Sequence, residues 1–371
     1  MLYPTELQVA VLFDQAVTRL AEVVQAFTEA DRAHSGTQYN LIEQRPGSYY
    51  ALYGDNELMI SFEWIDRPAD AAVFHPALQS PITRLMFPDA ARVIANHDSH
   101  ILINVQHGAM GGGEVQRMLA EMGMDVPGNG YPSFVRRLDQ AARLTSMVLC
   151  LPGAQLVHWG QSDQILTPET FKSFATSAIP GPLHIHPFLF DGGQDAQGQD
   201  QASILTFGAR HFVGREIEVI ASAIPWLDNF DLVMAFLRVA TIANGYVVPD
   251  GDTFGNEDRT LSCRVIHLPL VEGQVPLYRL EPLLNRDRGF QAPDYVPESR
   301  RIDPDRPPAD LMPNQPADRA ELMGEWRAKR AMVEGIGGSL EVKARGNAPI
   351  PPPPPMGQNR LGRVFGRKGT G

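Results

Sequence analysis

The stretch 201–269 constrains the fold most, because its hydrophobic period changes several times within a short length of chain. Residues 202–207 and 215–221 alternate apolar and polar side chains, which is the two-residue period of a half-buried strand. Residues 228–245 instead repeat apolar side chains at three- and four-residue spacing, which predicts a helix. A further strand is predicted over 261–268. This mixture of strands and a helix predicts an α+β fold.

The N-terminal part of the chain shows a related succession of elements. Within residues 1–107, a strand and a helix are followed by two strands around a turn at Gly54, then by a helix and a strand. This β-α-β-β-α-β order is typical of the split βαβ, ferredoxin-like arrangement. A connector at 108–150, with a helix over 132–150, leads to a second succession at 151–270 with one extra strand. We therefore predict two ferredoxin-like halves in tandem, each with an antiparallel sheet.

The composition changes near Glu281, where Pro, Asp and Arg become frequent and the apolar periodicity ends. We expect residues 271–334 to form an extended Pro-rich segment with one candidate helix. Residues 335–371 contain a polyproline run at 351–355 and show no strand or helix pattern. We therefore expect a disordered Pro-rich C-terminal tail.

The charge distribution also separates this tail from the rest of the chain. The chain has 32 Lys and Arg against 43 Asp and Glu, a net charge of −11, whereas the segment after Val342 is basic and contains no acidic residue. An acidic body does not favour nonspecific binding to nucleic-acid phosphates. The sequence shows neither a membrane-span pattern nor the basic start of a signal peptide. We therefore expect a cytoplasmic protein that binds neither nucleic acid nor membrane.

The sequence contains no motif that calls for a cofactor, and we predict none. The glycine-rich segment 108–113 lacks the Lys-Ser/Thr of a phosphate loop, and no serine lies in a Gly-x-Ser-x-Gly context. The two cysteines, Cys150 and Cys263, lie in apolar contexts. We expect both to be buried, reduced thiols.

His184 and His186 are the candidate metal ligands. If both lie on one strand they face the same side, because alternate residues of a strand share a face. The alternative is two solvent-facing histidines, since no glutamate follows at a fitting distance. A second pair, His97 and His100, is expected to cap a helix end, where a cation meets the negative end of the helix dipole.

The turn formed by Asp250, Gly251, Asp252 and Thr253 is the most specific local motif. Its spacing departs from the haloacid-dehalogenase nucleophile motif, and it lacks the ligands of an EF-hand loop. Two interpretations stay open. The turn is either a tight one whose Asp and Thr side chains bond the backbone, or a contact for a ligand or partner.

Three further side chains are candidate contacts for a ligand or partner. Glu216 and Glu218 lie two residues apart on one predicted strand, so their carboxylates share a face. They are either a carboxylate pair for acid–base chemistry or two solvated side chains. Trp159 is the aromatic member of this set.

Several of these segments resemble the bacterial domain-of-unknown-function family 4261. The resemblance covers roughly residues 5–270, and the segments that carry it are the predicted helix with 245–246, the turn 250–255, the closing strand, 153–160, 166–171 and 96–105. Two positions depart from the family pattern: His158 stands where a Tyr is expected, and Phe254 where a small aliphatic residue is usual. The resemblance implies a fold and no defined activity.

The sequence contains no converging catalytic set, which favours a non-enzymatic protein-interaction module. The polyproline run and basic tail suit docking to an aromatic groove or an acidic surface of a protein partner. A link to a bacterial toxin-immunity or secretion system is one version of this hypothesis, by analogy with other acidic α+β modules. The alternatives are a small-ligand sensor with a pocket between the halves and a metal-dependent enzyme that uses His184 and His186.

Overall fold

The computed structural model forms two compact units, Met1–Ile179 and Pro180–Gly371. It describes residues 3–17, 19–108, 118, 122, 130–195, 198–242, 247–248, 250–251, 253–255, 260–268, 276–293, 295, 323–325 and 327–328. Within the described residues, no helix is both long and apolar enough to cross a membrane.

The first unit is built on a seven-stranded sheet. Its strands are β1 (Glu6–Phe13), β2 (Tyr39–Arg45), β3 (Tyr49–Gly54), β4 (Leu58–Ile65), β5 (Ser99–His107), β6 (Ala154–Trp159) and β7 (Gln164–Leu166). They lie in the order β2-β3-β4-β5-β1-β6-β7, and every neighbouring pair is antiparallel. The first strand of the chain is therefore an interior strand of the sheet.

Two long helices cover one face of this sheet. They are α1 (Leu20–Ser35) and α5 (Tyr131–Val148). Helix α1 is amphipathic: its apolar residues Val23, Val24 and Phe27 are buried, and the Phe27 ring meets the ring of Phe62 on β4. Helix α5 packs against β1 and β5.

A helical insert between β4 and β5 covers part of the opposite face. It consists of a 3₁₀ turn (Ala71–Phe74), α2 (His75–Gln79), α3 (Pro81–Met86) and α4 (Ala90–Asn96), and a further helix, α6 (Pro168–Ala175), follows β7. A buried apolar cluster joins the insert to the sheet: Leu12, Phe74, Ala77, Ala90, Ile94, Leu156 and Ile165. The insert covers the end of β1 that holds Leu12 and leaves the region around Ala10 open to a pocket.

The second unit has its own sheet. Its strands are β8 (His186–Gln194), β9 (Asp200–Phe207), β10 (Glu216–Ser222), β11 (Thr253–Gly255), β12 (Leu261–His267), β13 (Leu277–Asn285) and β14 (Phe290–Gln291). The order is β11-β12-β13-β10-β9-β8, with β14 on β13, and β10–β13 is a parallel pair. The helices are α7 (Arg210–Val213) and α8 (Trp226–Ile242), with a 3₁₀ turn at Arg286–Arg288. Phe236 of α8 contacts the rings of Phe254 and Tyr278.

The structure confirms the α+β class, but it does not confirm two ferredoxin-like halves. Strand β1 lies between β5 and β6 and is antiparallel to both, so the strands of 1–107 do not form a closed set. The residues of β6, β7 and α6, which the sequence analysis grouped with 151–270, belong to the first unit. The boundary falls at 179/180 rather than at 150/151, because β6 is hydrogen-bonded to β1.

The C-terminal expectations have mixed outcomes. Residues 277–285 lie in the segment 271–334, which was expected to be an extended Pro-rich segment with one candidate helix, and they form β13 between β12 and β10. Most of the rest of that segment, and the whole tail 335–371, lies outside the described residues.

Candidate functional site

An open pocket of about 470 Å³ lies on the partly covered face of the first sheet. This volume falls within the range of roughly 300–1,000 Å³ found for small-molecule sites. Ala10 of β1 lies between Leu102 of β5 and His158 of β6 in the strand register. Because the alanine side chain is only a methyl group, the sheet leaves space at this point. The polar residues of the lining are Gln8, Arg67, Asp70, His100 and His158.

The His158 imidazole is hydrogen-bonded to a carboxylate from the same hairpin. Its Nε2 lies 2.8 Å from Oδ1 of Asp163, and the two side chains are 12% and 24% exposed. Asp163 ends the turn that joins β6 to β7 and has φ +50°, a left-handed backbone conformation that non-glycine residues seldom adopt. A carboxylate accepts only from a protonated nitrogen, so in the neutral ring the proton is on Nε2 and the lone pair is on Nδ1.

His100 forms the opposite wall of the pocket. Its Nδ1 lies 3.0 Å from the carbonyl oxygen of Arg67 and donates to it, which leaves the lone pair on Nε2. His100 is 5% exposed. Burial lowers the pKa of His100; its hydrogen bond to the Arg67 carbonyl opposes this, and the electrostatic interactions with His97 and Arg67 lower the pKa further.

His97 fixes the segment that carries Arg67. Its Nδ1 donates to the carbonyl oxygen of Ile94 at 2.6 Å, and its Nε2 accepts from the backbone N–H of Ala69 at 2.7 Å. His97 follows α4 directly and bonds a carbonyl oxygen of its last turn, so the capping position is as expected, while the interaction of a cation with the helix dipole stays a prediction. Since both ring nitrogens are bonded, His97 has a structural role.

Among the described residues that line the pocket, Arg67 carries the guanidinium. Its side chain is exposed, and within the described residues no carboxylate forms an ion pair with it. The acidic residue of the lining, Asp70, uses its Oδ1 to accept from the N–H of Ala72 and so caps the 3₁₀ turn. The pocket therefore combines the Arg67 guanidinium with the Asp70 carboxylate and two imidazoles, each of which has one ring nitrogen held by a hydrogen bond.

The two predicted metal ligands lie in the second unit and are not solvent-facing. His184 and His186 are 2% and 0% exposed. His184 precedes β8 in a turn, where its Nδ1 accepts from the N–H of Gly181, and burial lowers its pKa to about 4. His186 is the first residue of β8, and its ring stacks on Phe188 at 4.4 Å. The two residues therefore do not share a strand face. No cluster of three or more His, Cys, Asp or Glu placed to hold a metal occurs in the described ranges.

The predicted carboxylate pair is split between two sets of partners. Glu216 is buried and accepts from the hydroxyl of Thr206 at 2.8 Å and from the N–H groups of Gly208 and Ala209 at 2.9 and 3.0 Å. Burial raises the pKa of Glu216, and these donors oppose the rise. Glu218 instead forms an ion pair with Nε of Arg279 at 2.6 Å. Neither residue is simply solvated, and both join strands within the sheet.

The Asp-Gly-Asp-Thr turn connects to the neighbouring strand. Oδ1 of Asp250 accepts from the N–H of His267 at 2.8 Å, and the N–H of Gly251 donates to the oxygen of Val265. Thr253 begins β11 and pairs with Arg264. Asp252 lies outside the described residues. The turn interpretation accounts for the bonds of Asp250, and the contact interpretation stays a prediction.

Trp159 and Cys150 differ from their expected environments. Trp159 is 1% exposed, donates from Nε1 to Gln161 and packs on Phe171, so it is a core residue rather than a surface contact. Cys150 is exposed because it lies just after the end of α5, whereas Cys263 is buried as expected.

The residues of the pocket come from strands that are distant in sequence, so no local motif joins them. The sequence does contain one indication of the pocket, which is a polar residue within an otherwise apolar strand. Gln8 in β1 and His158 in β6 are two such residues. No match was found among protein-family models, curated proteins or solved structures. The resemblance to family 4261 therefore stays a prediction.

Proposed function

We propose that the first unit is a ligand-binding module whose pocket takes a small molecule with a carboxylate or phosphate group. The observation that carries this proposal is the Arg67 guanidinium, which lines the pocket without an acidic partner among the described residues. A guanidinium presents two parallel N–H donors that match the oxygens of a carboxylate or phosphate. An anionic ligand would supply the missing counter-charge.

The other lining residues define the rest of the ligand. His100 and His158 each offer a ring lone pair, so the ligand is expected to carry a hydroxyl or N–H group that donates to one of them. Ala10, Leu102 and Phe74 are apolar and favour a short hydrocarbon part. This description corresponds to the small-ligand sensor among the alternatives, with the pocket inside the first unit.

Ligand binding is tested by thermal unfolding with defined probes. Glutarate and inorganic phosphate are the anionic probes, and glutaramide is the neutral control. A ligand that binds only the folded state stabilises it by about 2.7 kcal/mol at 100 times its Kd. We expect an anionic probe to raise the Tm of the parent and the neutral one to leave it unchanged.

Two matched variants assign the effect to the pocket. Arg67→Gln removes the guanidinium, whereas Arg32→Gln removes an exposed guanidinium on α1, which packs on the other face of the sheet. Both variants lower the net charge of the protein by the same amount. The anion-dependent rise in Tm should disappear in Arg67→Gln and persist in Arg32→Gln. Equal rises in both variants would refute the proposal.

Protein interaction through the C-terminal tail is a second proposal, and it is supported by the polyproline run 351–355 between basic residues. Partner capture is compared between the full chain and a chain that ends at residue 334. Partners recovered only by the full chain support tail docking. Recovery of the same partners by both chains contradicts it.

A further inference from the structure

The His158–Asp163 pair gives the pocket a group that can move a proton. We propose that His158, oriented by Asp163, is a general base that activates water to hydrolyse an ester of the anionic ligand. This inference rests on the proposed function, because the anionic group bound by Arg67 is what places the ester beside His158.

The orientation of the ring supports this role. The carboxylate of Asp163 accepts from Nε2 of His158, and Nδ1 makes no hydrogen bond with any described residue. The ring also contacts the Phe74 ring in a near-perpendicular arrangement, at 5.3 Å between centroids and 81° between planes. A bond on one nitrogen and an aromatic contact hold the imidazole in one orientation, with the lone pair of Nδ1 left for a water molecule.

The strand register places the ester. Leu102 on β5 and His158 on β6 flank Ala10 of β1, so they are about 10 Å apart at two strand spacings. His100 is paired with Leu12 and therefore lies two residues, about 7 Å, further along the sheet. Arg67 is attached to the His100 wall through its carbonyl oxygen. A molecule with an acidic group and an ester a few bonds apart spans this gap above Ala10. The acidic group then lies at Arg67 and the ester carbonyl near His158.

The chemistry is hydrolysis by direct attack of water. As the water oxygen forms a bond to the carbonyl carbon, one of its protons passes to Nδ1 of His158. The tetrahedral intermediate then breaks its bond to the alcohol oxygen, and the imidazolium returns the proton to that oxygen. The products are an acid and an alcohol, no group is oxidised or reduced, and the Asp163 carboxylate stabilises the imidazolium.

The lining residues favour water over a protein nucleophile. The thirteen described residues that line the pocket include no Ser, Thr or Cys. A covalent acyl intermediate on a hydroxyl or thiol side chain therefore has no candidate there. Asp163 acts through His158 and is a positioning residue.

The test uses two esters of 4-nitrophenol. The mono-4-nitrophenyl ester of glutaric acid carries the anionic group, and 4-nitrophenyl acetate is its neutral counterpart. We expect the parent to hydrolyse the glutarate monoester with a lower KM than the acetate.

His158→Gln should lower kcat by about 100-fold or more, the contribution typical of general-base catalysis. Asp163→Asn keeps the side-chain shape and should lower kcat with little change in KM. Arg67→Gln should raise KM for the glutarate monoester only.

A surface histidine supplies the control for nonspecific imidazole catalysis. His34 is exposed in the last turn of α1 and is replaced in His34→Gln, which should keep the parent rate. Circular dichroism and Tm establish that each variant is folded, and Asp163→Asn decides the matter if His158→Gln does not fold.

The outcomes separate this inference from the proposed function. If glutarate stabilises the parent but His158→Gln or Asp163→Asn hydrolyses the ester at the parent rate, general-base catalysis is overturned and ligand binding stands. Binding without hydrolysis by the parent has the same meaning. If His158-dependent hydrolysis occurs without any effect of Arg67→Gln or of added glutarate, catalysis stands and the anion site is overturned.

Discussion

Replacement of Asp31 by alanine is expected to destabilise the first unit markedly. The Asp31 carboxylate is fully buried, with Oδ1 2.6 Å from Nη1 of Arg143 and Oδ2 2.9 Å from the hydroxyl of Tyr39. Gln140 donates to the same hydroxyl at 3.1 Å. Burial, followed by the negative charge of Asp31, raises the pKa of Tyr39, so its hydroxyl stays protonated and donates to the carboxylate. The carboxylate thereby joins α1, α5 and β2.

The size of the effect follows from what the change leaves behind. Loss of one partner of a buried ion pair costs about 3–5 kcal/mol, because the other charge stays buried without compensation. Arg143 is 28% exposed and has Asp139 4.0 Å away, so water and that carboxylate recover part of the loss. We therefore expect the lower end of the range, about 3 kcal/mol. The exposed pair of Asp89 and Arg92 serves as the comparison, and Asp89→Ala should cost less than about 1 kcal/mol.

Urea unfolding of the parent, Asp31→Ala, Arg143→Ala and the double variant measures this energy. The double-mutant cycle isolates the interaction between the two side chains. We expect a coupling of about 1.5 kcal/mol, within the range of roughly 0.5–3 kcal/mol for residues of one ion-pair network. A cost below 1 kcal/mol for Asp31→Ala, or a coupling near zero, would show that the buried carboxylate does not hold these elements together.

Three further predictions concern the pocket turn, the thiols and acid stability. A Cβ at Gly160 would lie 2.7 Å from a backbone oxygen of β1, so Gly160→Ala should lower the Tm by several degrees. At Gly130 the nearest atom to an added Cβ is 3.7 Å away, so Gly130→Ala should have little effect on the Tm. Equal changes in Tm for the two variants would contradict this reasoning. A thiol reagent should modify Cys150 in the native protein and Cys263 only after unfolding, since Cys263 is buried and burial raises its pKa; mass spectrometry of the labelled peptides decides. Burial lowers the pKa of His184 from 6.5 to about 4, because the folded protein disfavours the charged ring. The free energy of unfolding is therefore unaffected by His184 above pH 6.5 and decreases by about 3 kcal/mol as the pH falls toward 4, since only the unfolded chain binds the proton in this range. An NMR titration that shows His184 protonated at pH 6 in the folded protein would contradict this.

Local patterns predicted most of the individual elements. The helix predicted after the first strand is α1, which begins at Leu20 and ends at Ser35, and the pattern at 132–150 predicted α5 at Tyr131–Val148. Strand β2 was not predicted, since it is an edge strand whose residues after Tyr39 are exposed and lack a regular alternation. An apolar–polar alternation arises because one face of a strand is buried, so a strand that is exposed on both faces lacks this pattern.

Strand β13 was missed for a different reason. Pro282 lies within it, and a proline usually argues against an interior strand because it has no N–H to donate. Here the ladder to β10 ends at Leu280, and the register to β12 shifts between Ser262 and Cys263, so Pro282 is accommodated where pairing is already incomplete. The pairing of β10 with β13 also places Glu216 beside Leu277. These residues are far apart in the sequence, so the local spacing of apolar residues does not predict that they pair.

The candidate site was missed because its residues become neighbours only through strand pairing. His158 meets Ala10 through the pairing of β6 with β1, and His100 enters through the pairing of β5 with the other edge of β1. The individual residues gave weak signals, and Arg67 gave none. Arg67 is recognised as a residue of the site only in the structure. There His100 donates to its carbonyl oxygen, and no carboxylate among the described residues forms an ion pair with its guanidinium.

The interior position of β1 has a consequence for synthesis of the chain. Strand β1 is made first, but 85 residues separate Phe13 from Ser99, where β5 begins, and β6 follows later still. At roughly 5–20 residues per second, the ribosome needs about 4–17 s to cover that distance. During this time the apolar strand has neither of its neighbours, and such a segment is prone to aggregate or to be held by chaperones. The soluble yield of this protein is therefore expected to depend on the pace of translation as well as on the stability of the finished sheet.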